Sequence, residues 1–267
     1  MASVTTRALL DMKQKGERIV VLTCYDALFA RLLDASGIDI LLVGDSLNEV
    51  LAGASSTLSA TLDQMIYHTT MVRRGSDRAL VVCDMPFLTY QVSPEEAIRN
   101  CGRAMKESGC QAVKLEGGQH IAPTVRRLVD IGIPVMGHLG LTPQSVHALG
   151  GHRVQGRDDA SAERLKTDAK ALEDAGAFAI VLELVPAPLA SQITKALTIP
   201  TIGIGAGPAC DGQVLVLHDM LGLNDQFGAK FVKKYAALAE DVREAARVFA
   251  AEVREGRYPG PEHSFGK

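Results

Sequence analysis

The chain reads as an α/β protein of the (β/α)8 TIM-barrel class, organised as a single domain over residues 1–267. Three observations point there. Strand-sized apolar runs alternate with amphipathic stretches of helical spacing, the signature of a parallel sheet with crossover helices. Seven such runs and a candidate eighth fit the roughly 250 residues that a barrel of this kind needs. Six of the runs end on an acid or a histidine, and strand ends are where parallel α/β folds put their chemistry.

In chain order the runs are 19–26 (IVVLTCYD), 40–46 (ILLVGDS), 79–86 (ALVVCDMP), 112–118 (AVKLEGG), 133–140 (IPVMGHLG), 178–186 (FAIVLELVP) and 199–207 (IPTIGIGAG), with 213–219 as the eighth. The helical stretches between them are 27–36, 61–74, 93–108, 122–130, 160–174 and 188–197, with a last one at 230–255. The stretch 61–74 ends in basic residues followed by Gly75, as helix C-termini prefer. Ser93-Pro94-Glu95-Glu96 supplies an N-cap, a proline at the first helical position and a glutamate at the third, which predicts a capping box. The gap from Gly207 to Gln213 is too short for a crossover helix, so either the seventh helix is vestigial or 211–223 is itself that helix. A doubly wound open sheet fits less well, because no G-x-G-x-x-G opens the first unit.

Composition narrows the function. A net charge of −3, with no Lys/Arg run longer than two, leaves no electrostatic footprint for nucleic acid or an anionic membrane surface. The apolar runs fall far short of the roughly 20 residues a membrane span needs, and the start MASVTTRALLDMKQKG carries charge where a secretory segment would be apolar. The expected setting is therefore cytoplasmic. The five cysteines include no C-x-x-C pair, and Cys24 and Cys83 lie inside apolar runs, so they read as reduced, buried small hydrophobes.

The candidate site is built from strand-end residues. Side chains alternate along a strand, so Lys114 and Glu116 share a face while Val113 and Leu115 point to the surrounding helices. With Asp45 and Asp84 at the ends of neighbouring strands, three carboxylates converge and require a counter-charge. Hard oxygen ligands in that arrangement point to Mg²⁺ held by Asp45, Asp84 and Glu116. The competing account has Asp45 and Asp84 capping loops while Lys114 pairs with Glu116. Glu183 ends the sixth run beside Val185-Pro186, an apolar surround that would raise its pKa into the acid/base range. His138 ends the fifth run, placed for either packing or catalysis. The loop 203–207 suits either a phosphate or a tight turn, and His68, His147, His152 and His218 show no metal spacing.

At these residues the chain resembles the ketopantoate hydroxymethyltransferases (3-methyl-2-oxobutanoate hydroxymethyltransferases). The resemblance runs nearly end to end, through TCYDALFA, LLVGDSL, IYHTTMVRRG, CDMPF, VKLEGG, GHLGLTPQSV with GGHRVQGR, LELVP, IPTIGIGAG, DGQVLVLHDMLG and YPGPEHSF. It implies a barrel of the phosphoenolpyruvate/pyruvate-type superfamily that transfers a hydroxymethyl group from 5,10-methylenetetrahydrofolate to 3-methyl-2-oxobutanoate, on the route to pantothenate and coenzyme A. By position it implies Asp45, Asp84 and Glu116 as Mg²⁺ site, Asp45, Ser46, Asp84 and Lys114 as keto-acid contacts, and Glu183 as proton acceptor. It also implies a homo-oligomer, commonly a decamer.

One stretch departs from that pattern. Where the family resembles G-M-x-x-x-G-[aromatic or His]-D-S-T-L-P-V-T, residues 48–61 read NEVLAGASSTLSAT. The loop follows a strand that carries site residues, so a related enzyme acting on a different 2-keto acid is the principal alternative. A carbon-carbon lyase of the same superfamily is a second, but the K-K-C-G-H segment typical of isocitrate lyases is missing. A non-catalytic metabolite-binding barrel is a third, and the intact charged set speaks against it.

Overall fold

The apolar runs are short and flanked by turn residues, and most are buried on both faces, as parallel strands covered by helices are; the first and the last each expose one residue, Val20 and Gln213. The computed structural model describes residues 3–266. Its elements run α1 (Thr6–Lys15), β1 (Ile19–Thr23), α2 (Ala27–Ala35), β2 (Ile40–Val43), α3 (Leu47–Val50), α4 (Leu62–Gly75), β3 (Leu80–Asp84), α5 (Pro94–Ser108) and β4 (Ala112–Glu116). They continue α6 (Ala122–Asp130), β5 (Val135–Gly140), α7 (Asp159–Asp174), β6 (Ala179–Glu183), α8 (Ala187–Ala196), β7 (Thr201–Ile204), β8 (Gly212–Leu215), α9 (Leu217–Met220) and α10 (Leu238–Arg254).

The eight strands pair in parallel in sequence order and β8 closes on β1, so the sheet is the predicted closed barrel. Its interior is filled by inward-facing residues of successive strands, among them Ile19, Val21, Ile40, Leu42, Leu80, Val82, Met136, Val181 and Ile202. Residues two apart share a face, so Lys114 and Glu116 follow Ala112 of that core toward the C-terminal mouth.

Several expectations need correction. Helix α1 carries no strong apolar pattern, and the periodicity does not predict it. Thr5 caps it by accepting from the Ala8 N–H, Gly16 ends it in the left-handed region, and Val4 and Leu9 join the barrel core. The capping-box pair is completed at Thr61 and Gln64, each side chain bonding the other's backbone N–H, while at Ser93 the hydroxyl arm to the Glu96 N–H is formed. The seventh crossover helix is vestigial: β7 passes to β8 through the short segment 205–211, and Asp211 anchors it by accepting from the Thr201 N–H and the Lys13 ammonium, both at 2.8 Å. The eighth strand is shorter than 213–219, giving way to α9.

The chain divides into two compact units, Met1–Val216 and Leu217–Lys267, and all eight strands lie in the first. In the second, the helix expected at 230–255 begins only at Leu238. The Tyr235 N–H donates to the Met220 carbonyl in place of a helical bond, and the N–H groups of Leu238 and Ala239, the first two residues of α10, donate to the Leu221 and Gly222 carbonyls. Along α10, Val242, Phe249 and Val253 are exposed. No helix among the described residues is long and apolar enough to cross a membrane.

Candidate active site

The register of neighbouring strands brings the polar residues together. Asp84 pairs with Lys114 and Glu116 with His138 as Cα partners, and Gly140 with Glu183. Gly140 sits at φ +91°, and a Cβ there would collide with the Glu183 carbonyl. Glycine thus permits the close approach in which the Leu141 N–H donates to that carbonyl at 2.8 Å.

Lys114, Asp84, Glu116, Asp45 and His138 are each no more than 5% exposed. The Lys114 ammonium lies 2.8 Å from Asp84 Oδ1 and 3.0 Å from His138 Nδ1. Its ion pair is therefore made across to the next strand, to Asp84, rather than along its own strand to Glu116 as the competing account required. An ammonium can only donate, so His138 Nδ1 must hold the lone pair and Nε2 the proton. That Nε2 lies 3.2 Å from Glu183 Oε2, close but angled short of a hydrogen bond. Burial, then the Lys114 charge, holds the His138 pKa well below its ordinary value, so the ring is neutral. The contacts thus run Asp84, Lys114, His138, Glu183.

Glu183 is raised from 4.5 to about 7 by burial, against the smaller opposing pull of Lys114 and His152. Asp45 is likewise raised to about 7 by burial and then by Asp84. Burial also lifts Glu116 well above the usual carboxylate range, with Asp45 and Asp84 adding to it and Lys114 opposing. Burial disfavours the charge on Lys114, but Asp84, Glu116 and Asp45 outweigh it and leave the ammonium harder to deprotonate than usual. Three acids against one ammonium leave the pocket short of positive charge.

Ser46 stands beside Asp45 with its Oγ 2.9 Å from the Tyr25 hydroxyl. Asp26, at the end of the first run, caps α2 by accepting from the Leu28 and Phe29 N–H groups. All five cysteines are buried and unbridged.

The fit to a metal ion is partial in the structure as it stands. No three of the described His, Cys, Asp and Glu residues are gathered tightly enough to hold an ion alone. Glu116 Oε1 is nonetheless buried without a hydrogen-bond donor, and the Asp45 N–H donates to Asp84 Oδ2 at 3.3 Å, which brings those two acids side by side. An excess of buried carboxylate with an orphaned oxygen suits a hard cation that takes a few carboxylates and fills its other positions from water or substrate.

The chain is similar to known proteins along nearly its whole length. A family model described as Ketopantoate hydroxymethyltransferase matches residues 3–261. The chain belongs to the ketopantoate hydroxymethyltransferase family. It is 55% identical over 268 residues to the 3-methyl-2-oxobutanoate hydroxymethyltransferase of Pelodictyon phaeoclathratiforme, covering 99% of this chain and 97% of that one. It is 56% identical over 262 residues to the enzyme of the same name from Syntrophus aciditrophicus, covering 98% and 96%. Among solved structures, 2,3-dimethylmalate lyase, a PEP mutase/isocitrate lyase superfamily member, superposes with a TM-score of 0.61 at 20% identity over 97% of this chain and 93% of that one. Phosphonopyruvate hydrolase gives 0.64 at 11% identity over 97% and 93%. These two show the same barrel fold, and the close relatives fix the class of enzyme as a hydroxymethyltransferase.

Two residues of this family member's site carry no mark in the local sequence pattern. Gln144 is 5% exposed; its Nε2 donates to Asp45 Oδ2 and to the Met85 carbonyl, both at 2.9 Å, and its backbone N–H donates to Glu116 Oε2 at 3.1 Å. The Tyr90 hydroxyl donates to Gln144 Oε1 at 2.8 Å and accepts from the Glu116 N–H at 3.0 Å. Gln144 and Tyr90 thus span the loops after β3 and β5 and hold Asp45 and Glu116 in place. The signal available was their position shortly after strands ending in Asp84 and Gly140.

The divergent loop is internally bonded. Asn48, which stands where the family carries Gly, is buried, and its Nδ2 donates to the Ser56 carbonyl at 2.7 Å and to Ser59 Oγ at 2.8 Å. Ser59 falls where the pattern that the chain resembles has Pro, so two of the departures contact each other.

Proposed function

We propose that this enzyme transfers a hydroxymethyl group from 5,10-methylenetetrahydrofolate to 3-methyl-2-oxobutanoate, giving 2-dehydropantoate and tetrahydrofolate, and serves pantothenate and coenzyme A biosynthesis. The observation that carries the reading is the chain of contacts from Asp84 through Lys114 and neutral His138 to Glu183, set in a buried, acid-rich pocket.

Asp45, Asp84 and Glu116 would hold Mg²⁺, which when bound supplies a Lewis acid at the keto acid's oxygens. Lys114 places a fixed positive charge where the substrate's keto oxygen gains negative charge as the branched carbon loses its proton. Ser46, beside Asp45, offers a hydroxyl to the substrate carboxylate. The carbanionic carbon attacks the bridging carbon of the folate, the bonds from that carbon to the folate nitrogens break, and a water molecule enters as the product's hydroxyl. Glu183 moves a proton, either from the substrate carbon or to the departing folate nitrogen. Burial, which raises its pKa to about 7, suits it to both. His138 keeps Lys114 and Glu183 apart and presents Nε2–H to the carboxylate. The homo-oligomer implied by the resemblance would cover the exposed apolar residues of α10.

A second reading, a different 2-keto acid, is favoured by the departures at 48–61. One assay decides: turnover of several branched and unbranched keto acids with and without methylenetetrahydrofolate. Highest kcat/KM on 3-methyl-2-oxobutanoate with the folate supports the reading. Preference for another keto acid replaces the substrate, and cleavage of hydroxy diacids without folate replaces the reaction.

A further inference from the structure

The segment GGHRVQGR is left without a role by the chemistry above, yet it forms one wall of a cleft next to Glu183. The cleft, about 600 Å³, is lined by His152, Arg153, Val154, Arg157 and Leu184. That volume is in the range of sites for drug-sized ligands. Leu184 follows Glu183 directly, and His152 is near enough to help stabilise the Glu183 carboxylate.

The segment is fastened to the site. Leu184 adopts φ +47°, a left-handed conformation that a side chain bearing a Cβ avoids unless its surroundings impose it. Hydrogen bonds on both sides impose it: the Leu184 N–H donates to the Ile204 carbonyl, and the Leu184 carbonyl accepts from the Gln155 N–H, both at 2.9 Å. Gln155 lies between Arg153 and Arg157, so this bond ties the arginine-bearing loop to the strand that carries Glu183.

The charge is one-sided. Neither the Arg153 nor the Arg157 guanidinium forms an ion pair with a described residue, and both side chains are exposed. The nearby Asp158 is already committed, accepting from the Ser161 N–H at 2.9 Å and from its hydroxyl at 2.7 Å. In a chain whose net charge is −3, two unpaired guanidiniums and an imidazole around one cleft form a local receptor for an anion with more than one carboxylate.

We propose that this cleft binds the glutamate end of the folate donor, with Arg153 and Arg157 taking its carboxylates while the pterin end, which carries the one-carbon unit, reaches Glu183. The inference rests on the folate-donor reading above and adds to it the residues that hold the donor. The apolar lining from Val154 and Leu184 matches the aromatic ring that joins the two ends.

The test measures dissociation constants for tetrahydrofolate and for tetrahydropteroate, which lacks the glutamate, on the wild type and on the Arg153→Ala/Arg157→Ala variant. Wild type should bind tetrahydrofolate about 10- to 100-fold more tightly than tetrahydropteroate, the scale of one or two exposed guanidinium–carboxylate contacts. The double variant should lose that preference while keeping its affinity for tetrahydropteroate, and Arg157→Lys, which keeps the charge, should retain part of it. A variant that keeps the preference, or one that loses both ligands equally, overturns the inference alone. Wild type that binds the two equally also overturns it. Wild type that neither binds the folates nor turns them over overturns the functional reading, and this inference with it.

Discussion

Glu183→Gln keeps the side chain's shape and removes the charge that burial disfavours. In the wild type the carboxyl is raised from 4.5 to about 7. At about 1.4 kcal/mol per pH unit that corresponds to about 3 kcal/mol against the ionised form. The side chain is 16% exposed, so solvent recovers part of it and about 2 kcal/mol is the working figure. Between pH 4.5 and 7 the folded protein holds a proton that the unfolded chain has released. Folding stability from this group therefore falls as pH rises through that window and is level above it. Glutamine cannot ionise and escapes the fall. In metal-free protein the variant should match wild type near pH 4.5 and exceed it by about 2 kcal/mol at pH 8, read from urea unfolding at both values. Turnover at saturating substrate should drop at least about a hundredfold, the usual scale for a lost general acid or base. Equal stability at pH 8 would show that burial does not penalise the carboxylate. An unchanged kcat would remove Glu183 from the proton transfer.

Four further outcomes are expected. Asp84→Asn should weaken Mg²⁺ binding and turnover together, checked by metal titration and steady-state kinetics, and exhaustive chelation of the wild type should abolish activity; full activity after chelation refutes the metal assignment. Gln144→Met leaves Asp45 Oδ2, the Met85 carbonyl and the Tyr90 hydroxyl each one partner short, which at about 1–3 kcal/mol per buried group predicts a loss of about 2–4 kcal/mol in denaturant unfolding after relaxation; a loss below about 1 kcal/mol means the network does not hold the site. Asn48→Ala and Ser59→Ala should be non-additive by about 1 kcal/mol in a double-mutant cycle. Restoring Gly-Met at 48–49, Asp at 55 and Pro at 59 together should shift kcat/KM among keto acids while the Mg²⁺ requirement stays.

What the sequence could and could not reveal follows from the range over which each signal acts. Val113-Lys114-Leu115-Glu116 announces its own geometry, because strand alternation is local and puts a lysine and a glutamate two residues apart on one face of an otherwise apolar run. The same holds for Glu183, whose apolar neighbours in sequence are also its neighbours in space. Gln144 carried no such mark: what defines it is a pair of acceptors on Asp45 and Met85, distant in sequence and brought near only when the barrel closes. Helix α1 was invisible for a related reason, since Val4 and Leu9 are apolar with respect to a barrel core that the local pattern does not contain. The late start of α10 likewise goes with carbonyls of residues 220–222 that take the N–H groups of Tyr235, Leu238 and Ala239.

The neutral state of His138 explains how one lysine can serve a site with several acids without disabling Glu183. If the Lys114 ammonium touched Glu183 directly, the pair would pull that carboxyl down, as an opposite charge a few ångströms away does, and leave it too weak a base to accept a proton near neutrality. Lys114 instead spends its contacts on Asp84 and on the His138 lone pair. The ring passes on only the dipole of its Nε2–H, and a second positive charge there would lie beside Lys114 in a buried pocket, which burial and the ammonium both resist. Glu183 therefore feels Lys114 as a weak pull that does not cancel its desolvation, and it stays near 7. The same separation keeps the ammonium on the Asp84 side, where the proposed chemistry receives the keto oxygen, so the positive charge and the proposed proton carrier occupy opposite ends of one rigid imidazole.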